Sequence, residues 1–179
     1  HGTLAMVQAI AQSCDVYFYA LADEIGPTRL AEFLGHFGLG AATGIDVGGE
    51  KPGLLPSPEW KRKAYRKPAD QVWFPGETVI FGIGQGFMLT TPMQLAHMTA
   101  IVGSRGKNYQ PRLVTALRDP MTGTRTPIPP KLIGDVQVAK PEDWQVAIDG
   151  MIAVTHGGTA SRSAAGAPYT IAGKTGTAQ

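Results

Sequence analysis

Two short stretches carry the residues best suited to chemistry. Ser13-Cys14-Asp15 stands near the start of the chain, and Gly173-Lys174-Thr175-Gly176-Thr177 near its end. A hydroxyl can both donate and accept a proton, so Ser13 beside a carboxylate suits a relay. A lysine set among glycines and threonines makes an anion site. The glycines admit a close backbone, the ammonium brings charge and the hydroxyls donate. A phosphate loop is excluded. Its first glycine falls on Pro168, which has no N–H to give, and the lysine follows an extended run rather than opening a helix. Phe81-Gly-Ile-Gly-Gln-Gly86 also misses the dinucleotide fingerprint, because Phe87 breaks its spacing, and is expected to be a tight turn. The four histidines and single cysteine form no His-Glu-x-x-His or Cys-x-x-Cys pair. His97 is expected to be structural and His156 to sit at a helix C-terminus, where the dipole favours it.

Periodicity predicts the elements that place these residues. Leu4 to Ile25 has helical spacing broken at Ser13–Asp15, so two helices meet there, with Ser13 or Asp15 capping the second and Gly26 ending it. Pro27 opens a third, with Leu30, Phe33, Leu34 and Phe37 on one face. Residues 40 to 86 read as one long Gly- and Pro-rich connection, and Lys61-Arg-Lys-Ala-Tyr-Arg-Lys67 as a mobile, solvated run within it, with contact to an anionic surface or polymer as the alternative. Thr91-Pro92 caps and starts a helix that buries Leu95, Met98, Ile101 and Val102. Arg112–Leu117 and Arg125–Ile128 flank a hairpin turn at 120–123. Pro141-Glu-Asp starts a helix running to Thr155, closed by Gly157-Gly158. A strand over Tyr169, Ile171 and Ala172 leads into Lys174.

With 179 residues, 43% of them hydrophobic, the chain can build a core. A formal charge of +2 does not argue for nucleic acid. One cysteine excludes an internal disulfide, and no apolar run approaches the roughly 18 residues of a membrane span. His1 in place of an initiator Met leads us to expect a piece of a longer protein.

Ser13-x-Asp15 followed, far along the chain, by Lys174-Thr175-Gly176 resembles the second and third signatures of the penicillin-recognising serine acyl-transferases. Thr43-Gly-Ile-Asp46, Gly49-Glu50, Leu55-Pro56, Trp60, Gly82-Ile-Gly-Gln-Gly86, Thr91-Pro92-Met-Gln-Leu-Ala96, Gly158-Thr159-Ala160 and Ala172-Gly-Lys-Thr-Gly-Thr-Ala-Gln179 extend the likeness over the whole chain. The chain resembles the transpeptidase domain of class B penicillin-binding proteins, in particular the elongation-type penicillin-binding protein 2 group.

That resemblance implies an α/β (α+β) fold shared with serine β-lactamases: an antiparallel sheet with a helical subdomain, and the active site in the cleft between them. Residues 1–179 would be part of one transpeptidase domain, without the nucleophile helix or the C-terminal strands and helix. The implied activity is peptidoglycan cross-linking. A serine attacks the D-Ala-D-Ala carbonyl of one stem peptide, and the acyl-enzyme passes to an amine on another. The nucleophile belongs to a Ser-x-x-Lys motif upstream of Ser13. Ser104-Arg-Gly-Lys107 has the letters in the wrong order along the chain and is taken as chance. The fragment alone is therefore expected to be inactive.

By resemblance, Ser13 relays protons and Lys174 keeps the site electropositive. Lys174, Thr175, Gly176 and Thr177 bind the carboxylate of the substrate or of a β-lactam, with the Thr177 N–H forming half of the oxyanion hole. Asp15 replaces the commoner Asn and is expected to anchor the absent lysine. No cofactor is required for catalysis. His1 and Cys14 match a spacing that binds structural zinc in some elongation-type members, and a buried free cysteine with an incidental histidine fits equally well. The implied partners are stem peptides, β-lactam antibiotics and a membrane glycosyltransferase of the elongation machinery, at the periplasmic face of the inner membrane. The rivals are a β-lactam sensor without turnover and a serine β-lactamase.

Overall fold

A computed structural model describes residues 1–177. Its helices are α1 (Met6–Ala11), α2 (Asp15–Ile25), α3 (Pro27–Gly35), α4 (Pro58–Ala64), α5 (Pro75–Phe81), α6 (Pro92–Gly103) and α7 (Glu142–Thr155). The strands are β1 (Lys107–Tyr109), β2 (Ala116–Arg118), β3 (Arg125–Pro127) and β4 (Leu132–Asp135). The chain divides into two compact units, each discontinuous in sequence. The first holds residues 1–27, 74–85 and the chain from Val138 on; the second holds Thr28–Trp73 and Gly86–Gln137.

In the first unit α1 packs on α7 and α2 on α5. Small residues set these approaches. A Cβ on Gly150 of α7 would lie 2.6 Å from Ile10 Cδ1 of α1. One on Gly82, just after α5, would lie 2.3 Å from Ala22 Cβ of α2. Ala9, Ala22, Phe81, Trp144 and Val154 form the buried core, and each fully buried large side chain contributes about 1.5–3 kcal/mol. Helices α1 and α2 meet at residues 12–14, as expected, and Gly26 ends α2 with φ +81°. The expected cap is absent: Cys14 occupies the N-cap position of α2, without a side-chain cap bond. Ser13 belongs instead to the end of α1.

Residues 169–177 do not form the expected strand. An extended segment becomes a strand only beside another, and the pairings among the described residues are β1 with β4, β2 with β3, and an isolated Leu54–Leu89 bridge. Helix α7 holds the segment instead. Thr155 Oγ1 donates to the Ile171 carbonyl at 2.5 Å, and the Gly173 N–H donates to the Met151 carbonyl at 3.1 Å.

Residues 40–86 correct the long-loop expectation. Pro58, Pro68 and Pro75 each start a helical element, Pro68 a 3-10 turn. Proline's fixed φ suits a first helical turn, where its missing N–H has no intrahelical partner. The first part of the basic run, residues 61–64, is the C-terminal half of helix α4. Lys61 is 4% exposed, donates from Nζ to the Val72 carbonyl at 2.8 Å and stands 5.4 Å from the Phe87 ring centre. On α6 the buried face is Gln94, His97 and Ile101, whereas Leu95 is exposed. Gln94 is buried because its amide is fully used. It accepts from the Thr91 N–H and donates to the carbonyls of Ala41 and Pro52. His97 is structural, bonded through Nε2 to Asn108 Oδ1 at 2.8 Å. The β2–β3 hairpin forms where expected, and β1 and β4 form a separate two-stranded antiparallel sheet.

Candidate active site

The first unit brings Ser13 and Lys174 together across 161 residues. Helix α1 ends in a Schellman turn: Ser13 N–H donates to the Ile10 carbonyl at 3.1 Å, and Cys14 N–H to the Ala9 carbonyl at 2.9 Å. Glycine usually fills the left-handed position of this turn. Here it is Ser13, at φ +50°. Such a residue carries backbone strain that the surrounding structure must hold, a pattern that clusters at functional sites. Cys14 and Ala9, at the two positions whose side chains commonly meet in such a turn, are both buried. Left-handed backbone turns the Ser13 side chain away from the carbonyls of α1 and towards Lys174.

Lys174 Nζ donates to Ser13 Oγ at 2.8 Å, to the Thr175 carbonyl at 2.9 Å and to Thr175 Oγ1 at 3.3 Å. An ammonium has three protons, and all three are taken. Its charge is therefore passed on through two hydroxyls. Each accepts from the lysine and is left with its own proton to offer. Neighbouring atoms crowd the ammonium and push its pKa below the ordinary lysine value, while the Asp15 carboxylate pulls it back up. A lysine lowered by burial exchanges protons more readily near neutral pH. Asp15 is exposed in the first turn of α2 and acts on Lys174 through charge.

Thr159 closes the cluster. Its Oγ1 lies 2.9 Å from Thr175 Oγ1, and its N–H donates to the Ala11 carbonyl at 3.2 Å. Gly158 makes that approach possible, since a Cβ there would fall 2.3 Å from the Ala11 oxygen. The end of α1, Lys174, Thr175 and the turn after α7 thus form one closed ring of contacts. Gly176 and Thr177 follow, both exposed. The Thr159 hydroxyl is the part sequence alone did not assign. Gly-Thr-Ala was visible as a motif, but nothing in it pointed to a partner 16 residues away.

The two metal candidates, His1 and Cys14, differ in exposure. His1 is exposed and Cys14 is buried. No group of three or more His, Cys, Asp or Glu side chains is placed to hold a metal among the described residues. A structural zinc takes four ligands, so two donors leave the set incomplete. Ser104 and Lys107 do not form a nucleophile pair. The Ser104 hydroxyl lies on the carbonyls of Ala100 and Lys107, each at 2.8 Å, and Lys107 pairs with Asp135 at 2.9 Å.

The profile of the family described as "Penicillin binding protein transpeptidase domain" matches residues 1–179. The chain belongs to the penicillin-binding protein transpeptidase family. It is 38% identical over 186 residues to the peptidoglycan D,D-transpeptidase MrdA of Escherichia coli K12, covering 100% of this chain and 28% of that protein. It is 30% identical over 183 residues to stage V sporulation protein D of Bacillus subtilis, covering 25% of it. Pseudomonas aeruginosa PBP2, solved in complex with WCK 5153, superposes with a TM-score of 0.84 at 42% identity, over 98% of this chain and 38% of that one. Helicobacter pylori PBP2, solved in complex with MreC, gives 0.82 at 34% identity, over 100% of this chain and 31% of that one. The expected fold and the kinship with the PBP2 group are borne out. The chain spans little more than a quarter of the MrdA length it matches.

Proposed function

We propose that this chain is part of a serine D,D-transpeptidase that cross-links peptidoglycan stem peptides through an acyl-enzyme and is a target of β-lactams. The observation that carries this reading is the 2.8 Å bond from Lys174 Nζ to Ser13 Oγ, with Thr175 on the same ammonium. Because Ser13 Oγ accepts from the lysine, its own proton is free to pass to the departing D-Ala amine, and Lys174 can replace it. Thr175 and Thr177 supply hydroxyls for the terminal carboxylate of the stem peptide, and Lys174 supplies the positive field. Gly176 keeps that approach open. The Thr177 N–H is half of the oxyanion hole. Asp15 anchors a lysine of the nucleophile helix, which lies outside these 179 residues together with the catalytic serine.

The parent protein would act at the periplasmic face of the inner membrane; among the described residues no helix is long and apolar enough to cross a membrane. Its partners would be a scaffold of the MreC kind, as in the Helicobacter pylori complex, and a membrane glycosyltransferase. Structural zinc at His1 and Cys14 would need two further ligands from outside this chain. Metal analysis of the full-length protein without equimolar zinc removes that part.

Fluorescent penicillin is the test. The full-length protein should label covalently, lose the label slowly and cross-link stem peptides, while residues 1–179 alone should not label. Fast loss of the label would mean a β-lactamase. A stable label without cross-linking would mean a sensor.

A further inference from the structure

We infer that residues 59–71 are an exosite that holds the anionic peptidoglycan strand outside the reaction centre. This rests on the transpeptidase reading and deepens it. The segment carries Lys61, Arg62, Lys63, Arg66 and Lys67 against Glu59 and Asp70, a net charge of +3, while the whole chain carries +2. Everything outside it therefore sums to −1. The chain's positive charge is a property of this one segment.

The five cations have two roles. Lys61 serves the fold, buried between the Val72 carbonyl and the Phe87 ring. Trp60 turns inward with it, 5.3 Å from the Phe87 ring and 6.3 Å from that of Tyr65. Ser57 caps α4 by accepting from the Trp60 N–H at 3.0 Å, and the Gln71 amide donates to the Tyr65 carbonyl at 2.8 Å. The segment is thus tied at both ends. The other four cations are exposed. Lys63 pairs with Glu59 at 2.7 Å, and Arg62, Arg66 and Lys67 have no salt bridge among the described residues. Like charges fixed on one support repel, and an anion that bridges them relieves the repulsion. The ordered support lowers the cost of binding it.

A stem peptide ends in a carboxylate, and a glycan strand bears one stem after another. Exposed ion pairs are individually weak, so three unpaired cations suit a polymer that offers repeated anions better than one small anion. A bilayer is the poorer fit. With Trp60 turned inward, the exposed residues of α4 are Glu59, Arg62, Lys63 and Ala64. None is a large apolar side chain of the kind that enters a lipid interface.

The probe is insoluble peptidoglycan sacculi, cosedimented with the full-length protein in detergent after penicillin has blocked the reaction centre. The blocked wild type should bind, and added salt should weaken the binding. Arg62→Gln/Arg66→Gln/Lys67→Gln should weaken it about tenfold, the scale of three exposed ion pairs, and leave the rate of penicillin acylation unchanged. The charge-conserving Arg62→Lys/Arg66→Lys/Lys67→Arg should bind like the wild type. So should Arg125→Gln/Lys131→Gln/Lys140→Gln, which removes as much charge from exposed positions elsewhere. If the first triple variant does not fold, Arg66→Gln/Lys67→Gln, which lies outside α4, should show a smaller loss in the same direction. The inference is overturned by a blocked wild type that does not bind, by unchanged binding in the first triple variant, or by equal losses in both neutralised triples. Charge-dependent attachment to phosphatidylglycerol vesicles with none to sacculi would overturn it as well. Those results leave the transpeptidase reading standing, because penicillin acylation tests it separately. A full-length protein that penicillin never acylates overturns that reading and this inference together.

Discussion

Helices α1 and α6 end in the same backbone motif, and only one of them makes a site. Each closes with a Schellman turn and puts a non-glycine residue in the left-handed region: Ser13 at φ +50° and Arg105 at φ +53°. In α6 the bonds run from Arg105 N–H to the Val102 carbonyl and from Gly106 N–H to the Ile101 carbonyl. Each end also carries a serine associated with a lysine. On α6, Ser104 sits one residue before the left-handed position, with near-helical backbone, and its hydroxyl reaches back onto the Ala100 carbonyl. On α1, Ser13 occupies the left-handed position itself, and its hydroxyl leaves the helix for Lys174. A shift of one residue decides whether a serine satisfies its own helix or reaches a distant lysine. The lysines differ in the same sense. Lys107 is neutralised by Asp135, whereas among the described residues Lys174 hydrogen-bonds to hydroxyls and a carbonyl.

The strongest way to break this comparison is to remove each lysine in the full-length protein. Lys174→Met should reduce penicillin acylation by about 100- to 10,000-fold, the range for losing a positioned acid–base group. Lys107→Met should leave acylation unchanged. Equal effects would mean that proximity to Ser13 confers nothing.

Next in size is Gly158→Ala. The new methyl must displace the Ala11 carbonyl or the turn after α7, and overpacking of this kind costs about 1–3 kcal/mol. Because the same turn carries Thr159 and abuts the end of α1, acylation should fall along with the denaturation midpoint. Gly103→Ala, at the end of α6, has nothing within 4 Å of its Cβ and should leave acylation intact.

The left-handed positions sharpen the contrast at smaller scale. Arg105→Gly and Ser13→Gly both relieve a side chain in αL, where glycine avoids a penalty of about 1 kcal/mol. Both variants should hold or gain stability in chemical denaturation. Only Ser13→Gly should lose acylation. A clear loss of stability in Ser13→Gly would mean that the hydroxyl bond to Lys174 supports the fold rather than the chemistry.

Much of this was legible in the sequence where a residue's role follows from its neighbours along the chain. Pro27, Thr91-Pro92 and Gly26 mark helix ends through local backbone rules, and α2, α3, α6 and α7 appear close to their expected places. Ser13 and Lys174 were found through the motif pattern, and the structure puts them in contact. What failed were roles set by distant partners. Pro58 and Pro75 looked like loop punctuation, although each starts a helix. Lys61 looked solvated, because nothing nearby in sequence announces the Val72 carbonyl or the Phe87 ring. Gln94 was not among the residues expected to be buried on α6, because nothing nearby in sequence announces the carbonyls of Ala41 and Pro52 that its amide meets. Thr159 belongs to the same class.

The finest test uses pH, since the two lysines titrate in opposite directions. Lys174 is lowered, mainly by burial, with Asp15 pulling upward; Lys107 is raised by its hydrogen bond and charge pairing with Asp135. For Lys174 the unfolded chain holds the proton more tightly than the folded one. Folding is therefore penalised below its depressed pKa, and the penalty fades as pH rises from there towards the ordinary value of 10.5. For Lys107 the contribution is favourable, fully present below 10.5, and lost as pH rises through its raised pKa. Denaturation midpoints across the alkaline range should separate the two: Lys174→Met removes a rise, Lys107→Met removes a fall, and added salt erases the second more than the first because that pair is exposed. Catalysis reports the same group. On the proposed function Lys174 acts in its charged form, so the alkaline limb of acylation should set in below the ordinary lysine range. Asp15→Asn removes the charge that pulls Lys174 upward and should move that limb to lower pH. A limb that stays in place in Asp15→Asn would show that Asp15 acts elsewhere in the site, and that Lys174 owes its shift to burial alone.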